Sequence, residues 1–164
     1  MLPSPTPAND ETVRIALHQG AREDLWPLFE LADGSALAIH RFIDEGVVHV
    51  AVTGGVPVGL AQVIHHEEGP YELRRLAVVP GHRRRALGTR LLARSAAWVR
   101  DQSGDRLVIG TPAANLDVLG FCQRLGFRIL EVERDAFGPR NGYPEGLITH
   151  GIPLRDRVWL ELLL

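Results

Sequence analysis

LAVVPGHRRRALGTRLL, Leu76 to Leu92, is the stretch on which the reading of this chain turns. A strand stops at Pro80-Gly81, and a helix starts within a few residues at Ala86-Leu87-Gly88. The free amides of a first helical turn, with the positive end of the helix dipole, form an anion site. Ala86 and Gly88 are small enough to let a phosphate approach the backbone, and Arg83, Arg84 and Arg85 add charge beside it. The P-loop pattern and the dinucleotide fingerprint are both absent. A basic surface turn ahead of an ordinary amphipathic helix fits the same residues, so physics alone leaves both readings open.

Downstream of the turn, the spacing predicts a helix from about Ala86 to Gln102. Leu87, Leu91, Leu92, Ser95, Trp98 and Val99 share one face, and Arg90, Arg94 and Arg100 fall mostly outside it. Arg106–Gly110 reads as a buried strand. Asn115 caps a helix that runs to Leu125 and stops at Gly126. Phe127–Glu133 and Val158–Leu163 are two more strands, separated by a long Gly- and Pro-rich loop. Upstream, Tyr71–Val79 is the strand entering the turn. Val47–Thr53 and Val56–Ile64 form a hairpin around Gly54-Gly55. Thr12–Leu17 alternates as a short strand, and helices are predicted over Ala21–Ala32 and through Ile39–Ile43. The order is mixed α/β: an antiparallel meander, then strand–helix–strand–helix, then a final pair.

Length and composition bound what this order can mean. The 164 residues suit one domain, taken as residues 12–164 behind a Pro-rich tail over residues 1–11. A single cysteine, Cys122, excludes an internal disulfide framework and a Cys-rich zinc module. No apolar run approaches a membrane span, and MLPSPTPAND lacks the marks of a secretion signal, so a soluble cytoplasmic protein is expected. All 18 basic residues are Arg. Nine of them lie between Arg74 and Arg106 against only Asp101 and Asp105, a net of +7, which predicts an anion-attracting surface. Nucleic acid fits that surface less well, because no aromatic stacking platform accompanies the charge.

The turn resembles motif A of the GNAT superfamily of N-acetyltransferases, [Q/R]-x-x-G-x-[G/A], with Arg83 and Gly88 at its ends and Ala86 in place of the first glycine. Asn115, Val118, Phe121, Cys122, Arg124, Gly126 and Phe127 are similar to a second block of that family. The ending from Tyr143 to Leu162 is similar to that of a bacterial subgroup. The resemblance implies a mostly antiparallel sheet of about seven strands with a central parallel pair, flanked by about four helices. It further implies acetyl-CoA as co-substrate, direct transfer to an amine acceptor, and a possible homodimer. The cofactor would be held by Leu76, Ala77 and Val78 on the strand and by Arg83, Arg84, Arg85, Ala86, Leu87, Gly88 and Thr89 at the turn. Asn115 serves as a helix cap, a cofactor contact, or both.

Two residues are candidates for catalysis. An attacking amine must lose a proton, and Glu72 stands on the strand where some family members carry a catalytic Glu. Pairing with Arg74 is the structural alternative for Glu72. Cys122 occupies the place of the family's usual Tyr acid; it either donates a proton to the departing thiolate or is a buried apolar thiol. His65-His66-Glu67-Glu68 lacks metal-ligand spacing, and no metal is expected. The resemblance places the acceptor walls at about residues 20–45 and 137–152, where Glu30, Asp33, Asp44 and Glu45 hint at a cationic amine. A fold that holds CoA without turnover is the alternative function.

Overall fold

The computed structural model describes residues 12–83 and 86–164; the tail 1–11 and the side-by-side Arg84 and Arg85 lie outside the described residues. The chain order is β1 (Arg14–Leu17), α1 (Trp26–Ala32), α2 (Ala36–Phe42), β2 (Val47–Thr53), β3 (Val56–His65) and β4 (Tyr71–Val78). There follow α3 (Leu87–Asp101), β5 (Arg106–Pro112), α4 (Leu116–Arg124), β6 (Arg128–Glu133), β7 (Ile148–Thr149), β8 (Ile152–Pro153) and β9 (Arg157–Leu163). Seven strands form one sheet in the order β1-β2-β3-β4-β5-β9-β6, antiparallel except for the β4–β5 pair. This is the expected α/β architecture, with four α-helices.

Local chemistry accounts for most boundaries. Gly54 and Gly55 hold φ of 54° and 79°, the left-handed pair that a two-residue hairpin requires. The predicted helix over residues 21–32 is a 3-10 turn followed by α1, because Pro27 can enter only the first turn of an α-helix. The Ser35 side chain caps α2 by accepting from the Ala38 amide at 3.2 Å. At the other end of α2, Arg22 donates to the carbonyls of Ile43, Glu45 and Gly46. The small β7–β8 hairpin was not foreseen within the long loop; His150 and Gly151 turn it with φ of 53° and 73°.

The sheet separates two cores. On one face α3 and α4 close over Val58, Ala61, Val63, Leu73, Leu107 and Leu160, with Leu91, Val99, Cys122 and Phe127 buried among them. On the other, α1 and α2 bury Leu25, Leu28, Phe29 and Ile39 against Val48, Val50 and Leu60. Arg90, Arg94 and Arg100 lie exposed on the outer side of α3, as its stripe requires. His49 of β2 is fully buried against α3, its Nδ1 3.2 Å from Ser95 Oγ and its Nε2 without a partner among the described residues. β6 is a free edge with Ile129, Leu130 and Val132 exposed.

Two irregularities in β4 position everything that follows. The β3–β4 register shifts between Gln62 and Val63, so Arg74 is an extra residue on β4. As a result Arg74 and Arg75 both reach the α1–α2 face: Arg74 lies over the Phe42 ring and Arg75 over that of Phe29. Leu73, Leu76 and Val78 all return to the α3 face. Second, β4 and β5 share only the pairs Tyr71↔Leu107 and Glu72↔Val108. Beyond Glu72 the two strands part, and a gap opens in the middle of the sheet.

Candidate functional site

One end of the gap is built from backbone. Val79 donates to Val58 of β3, so strand alternation turns Ala77 toward β3 and turns Leu76 and Val78 toward the gap. The Arg83 side chain reaches back to the Val78 carbonyl at 3.0 Å. The first-turn amides of α3 at Leu87, Gly88 and Thr89 precede its first intrahelical bond, from Arg90 to Ala86. Among the described residues no side chain caps this helix, and no acid stands in its first turn. Among the described residues a Cβ at Gly88 would meet only the Phe121 ring of α4, at 3.5 Å, so their packing does not require glycine there. Ala86 stands at φ 54°, in the left-handed region that an alanine enters at a cost of about 1 kcal/mol. That backbone is the physical reason for a glycine at this motif position. Space beside the helix start, free amides and absent acid together suit a phosphate-bearing cofactor.

The other end is built from side chains. A cleft of about 410 Å³ lies between Leu31–Gly34 at the end of α1, Glu72 and Arg74 of β4, Gly110 and Pro112 of β5, and the loop carrying Phe137, Tyr143, Leu147 and Ile148. Trp159 of β9 lies across Gly110, where a Cβ would come within 2.9 Å of its ring. Glu72 is 4% exposed. Its two oxygens are held separately, by His66 Nε2 at 2.7 Å and Arg74 Nη1 at 3.0 Å. Glu72 and His66 also line a depression of about 300 Å³ on the other side, so this pair stands between the cleft and the outside. His66 is half exposed, whereas His65 stacks on Tyr71 at 4.1 Å, the opposite orientation expected of neighbours at a strand end.

Sequence reasoning missed the network behind the cleft. Arg75 is 3% exposed and donates to Gln62 at 3.0 Å, Asp33 at 3.1 Å and the Ala38 carbonyl at 2.9 Å. Asp33 also accepts from the Tyr143 hydroxyl at 3.2 Å and the Ser35 amide at 3.0 Å. Burial lowers the Arg75 pKa, with Asp33 opposing the shift. Burial and Asp33 push Tyr143 up to about 12, so its hydroxyl stays a donor. The +7 window is therefore not a single anion surface, since Arg75 is internal and Arg74 is held at the cleft. Of the acids taken as hints of a cationic amine, only Asp33 lines the cleft, and Arg75 already engages it.

Asn115 is a helix cap, accepting from the Val118 amide at 3.3 Å, and it also lines the cleft. Cys122 lies elsewhere, fully buried in the α3–α4 core, where burial pushes its thiol up to about 11. Among the described residues no three His, Cys, Asp or Glu gather as metal ligands. None of the described helices is long and apolar enough to cross a membrane.

Comparison with known proteins agrees with this geometry. The profile of the Acetyltransferase (GNAT) family matches residues 16–127. The uncharacterized N-acetyltransferase YvbK of Bacillus subtilis is 26% identical over 154 residues, spanning 94% of this chain and 98% of its own. A Bacillus subtilis acetyltransferase solved in complex with CoA superposes with a TM-score of 0.83 at 27% identity, over 93% of this chain and 99% of that one. An IAA acetyltransferase from Bacillus cereus superposes with a TM-score of 0.82 at 26% identity, over 92% and 100% of the two chains.

Proposed function

This chain belongs to the Acetyltransferase (GNAT) family, and from that premise we propose that it moves acetyl from acetyl-CoA directly to a primary amine of a small molecule or peptide. One observation carries the reading: the β4–β5 gap joins an uncapped helix start at one end to a buried carboxylate at the other. The CoA complex of the Bacillus subtilis relative supports the same cofactor for this chain.

In this reading the cofactor's pyrophosphate is held by the first-turn amides of Leu87, Gly88 and Thr89, with Arg83 and Ala86 beside them. The backbone groups of Leu76 and Val78 face the gap and hold its pantetheine arm; those of Ala77 are committed to β3. Bound there, acetyl-CoA supplies an activated acyl carbonyl. Glu72 accepts the proton that the amine must lose before it can attack. His66, 2.7 Å away and half exposed, passes that proton toward solvent. Cys122 is a packing group in this account, and the departing thiolate takes its proton from water.

The test is thiol release from acetyl-CoA with a panel of amines, aminoglycosides and N-terminal peptides, the acetylated product identified by mass. Acceptor-dependent release with an added acetyl group supports transfer. Acetyl-CoA binding without acceptor-dependent release would leave the non-catalytic alternative. The same reading puts the protein in the cytoplasm, with its substrates. It also includes a homodimer, which light scattering would detect as twice the monomer mass.

A further inference from the structure

The cleft opens into a second cavity of about 300 Å³ that shares Arg74, Tyr143 and Arg157 with it. Arg41 and Arg140 complete the wall of this cavity, over an apolar floor of Leu37, Ala38, Phe42 and Ala136. Four guanidinium groups thus face one carboxylate, Glu133. The carboxylates of the two cavities are already engaged. Glu133 accepts from Arg157 at 2.9 Å and from the Trp159 indole at 3.0 Å. Glu72 is held by Arg74 and His66, and Asp33 by Arg75, Tyr143 and the Ser35 amide. Arg41 and Arg140 have no carboxylate partner among the described residues. Among the described residues Arg41 meets the Phe42 ring, at 5.3 Å.

A lone unpaired arginine on a surface is ordinary. Two in one concavity, beside two more whose planes are set by Phe42, Phe137 and Trp159, make a positive pocket: Arg74 and Arg157 are held against Glu72 and Glu133, and the forks of Arg41 and Arg140 stand open. Open guanidinium forks grip a carboxylate or a phosphate through paired N–H donors. We propose that this cavity receives an anionic group of the acceptor, so the substrate is an amine that also carries an oxyanion. Its amine end faces Glu72 and its anionic end lies between Arg41 and Arg140. The inference rests on the transfer reading above and reverses the cationic acceptor that the acids in the sequence suggested.

Product analogues test the cavity without turnover. Calorimetry on the CoA-loaded protein would compare N-acetyl-leucine and N-acetyl-phenylalanine with their amides, and N-acetyl-phosphoethanolamine with N-acetyl-ethanolamine. At least about a tenfold preference for one charged class is expected, the winning pair separating carboxylate from phosphate. In the Arg41→Ala/Arg140→Ala protein the preference should shrink to about twofold, and Arg140→Glu should weaken the charged ligand further. Both side chains are exposed, so neither change removes core packing. Equal affinity within every pair overturns the proposal, as does a preference that survives the double substitution or failure of every ligand to bind at millimolar concentration. Should the preference appear while no amine stimulates thiol release, the cavity assignment stands and the transfer reading falls.

Discussion

The two ends of the β4–β5 gap are made of different materials. The α3 end offers main-chain amides, small residues and one short segment, residues 76–89. The Glu72 end is assembled from side chains on α1, β4, β9 and the loop after β6, and each acid in it is tied to a cation or a donor. Backbone groups are present whatever the sequence, so the first end needs only the absence of obstruction. Side-chain groups must be brought together by the whole fold and then kept from neutralising one another in the wrong pairs. The first arrangement suits a part shared across a family; the second suits a part that differs from member to member.

Substitutions at either end can break this contrast. The largest effect is expected at Glu72: Glu72→Gln should lower turnover by roughly 10²–10⁴ at neutral pH while acetyl-CoA affinity, set at the other end, stays the same. Steady-state rates beside calorimetry check it, and a loss of only a few-fold would remove Glu72 as the base. Asp33→Asn leaves Arg75 charged and buried with no carboxylate, a loss of about 3–5 kcal/mol of stability measurable by urea unfolding. Adding Arg75→Met should recover much of it, because the stranded charge is then gone. Acid stability belongs to neither end and serves as the control. His49 titrates at about 4 in the folded chain, against an ordinary 6.5, because burial and then Arg94 oppose its charge. The unfolded chain therefore binds the extra proton between those values. Stability is full above about pH 6.5 and falls by about 3 kcal/mol as pH drops to about 4. Urea midpoints across that range should show the slope, and His49→Leu should flatten it.

The amide end gives smaller numbers. Gly88→Asp places a carboxylate at the helix start and should weaken acetyl-CoA at least about tenfold, or ~1.4 kcal/mol, with the fold intact. Unchanged affinity would detach the cofactor from this helix. Smallest is Ala86→Gly, which relieves a left-handed alanine and should raise stability by about 0.5–1 kcal/mol in thermal or urea unfolding.

This division also governs what could be read from the sequence. The α3 turn is contiguous, so its pattern was legible, as were the Gly54-Gly55 hairpin and the buried stripe of α3. The Arg75–Asp33 and Tyr143–Asp33 contacts join residues 42 and 110 positions apart, and no local pattern encodes such distances. Arg41 and Arg140 likewise meet only in the folded chain. Glu72 was legible as a position, whereas its grip by His66 was not. The β7–β8 hairpin had a signal in His150-Gly151 that the surrounding glycines and prolines obscured. The bulge had one too: Leu73-Arg74-Arg75-Leu76 puts two charged residues in succession inside a strand that otherwise alternates.

That bulge makes β4 a strand counted with two parities. Before Arg74, even numbers face α1 and α2; after it, odd numbers do. Removing Arg74 would restore a single count and leave every side chain on its own face, whereas removing one residue outside Arg74-Arg75 would keep the two-on-one count and turn one half of the strand inside out. Either Glu72 would leave the cleft, or Leu76 and Val78 would leave the α3 core and their amides would swing back to β3. Lineages of this sequence should therefore keep their fold, though not their acceptor, through length changes in the loop after β6, and should lose it through a one-residue change in β4 outside the bulge.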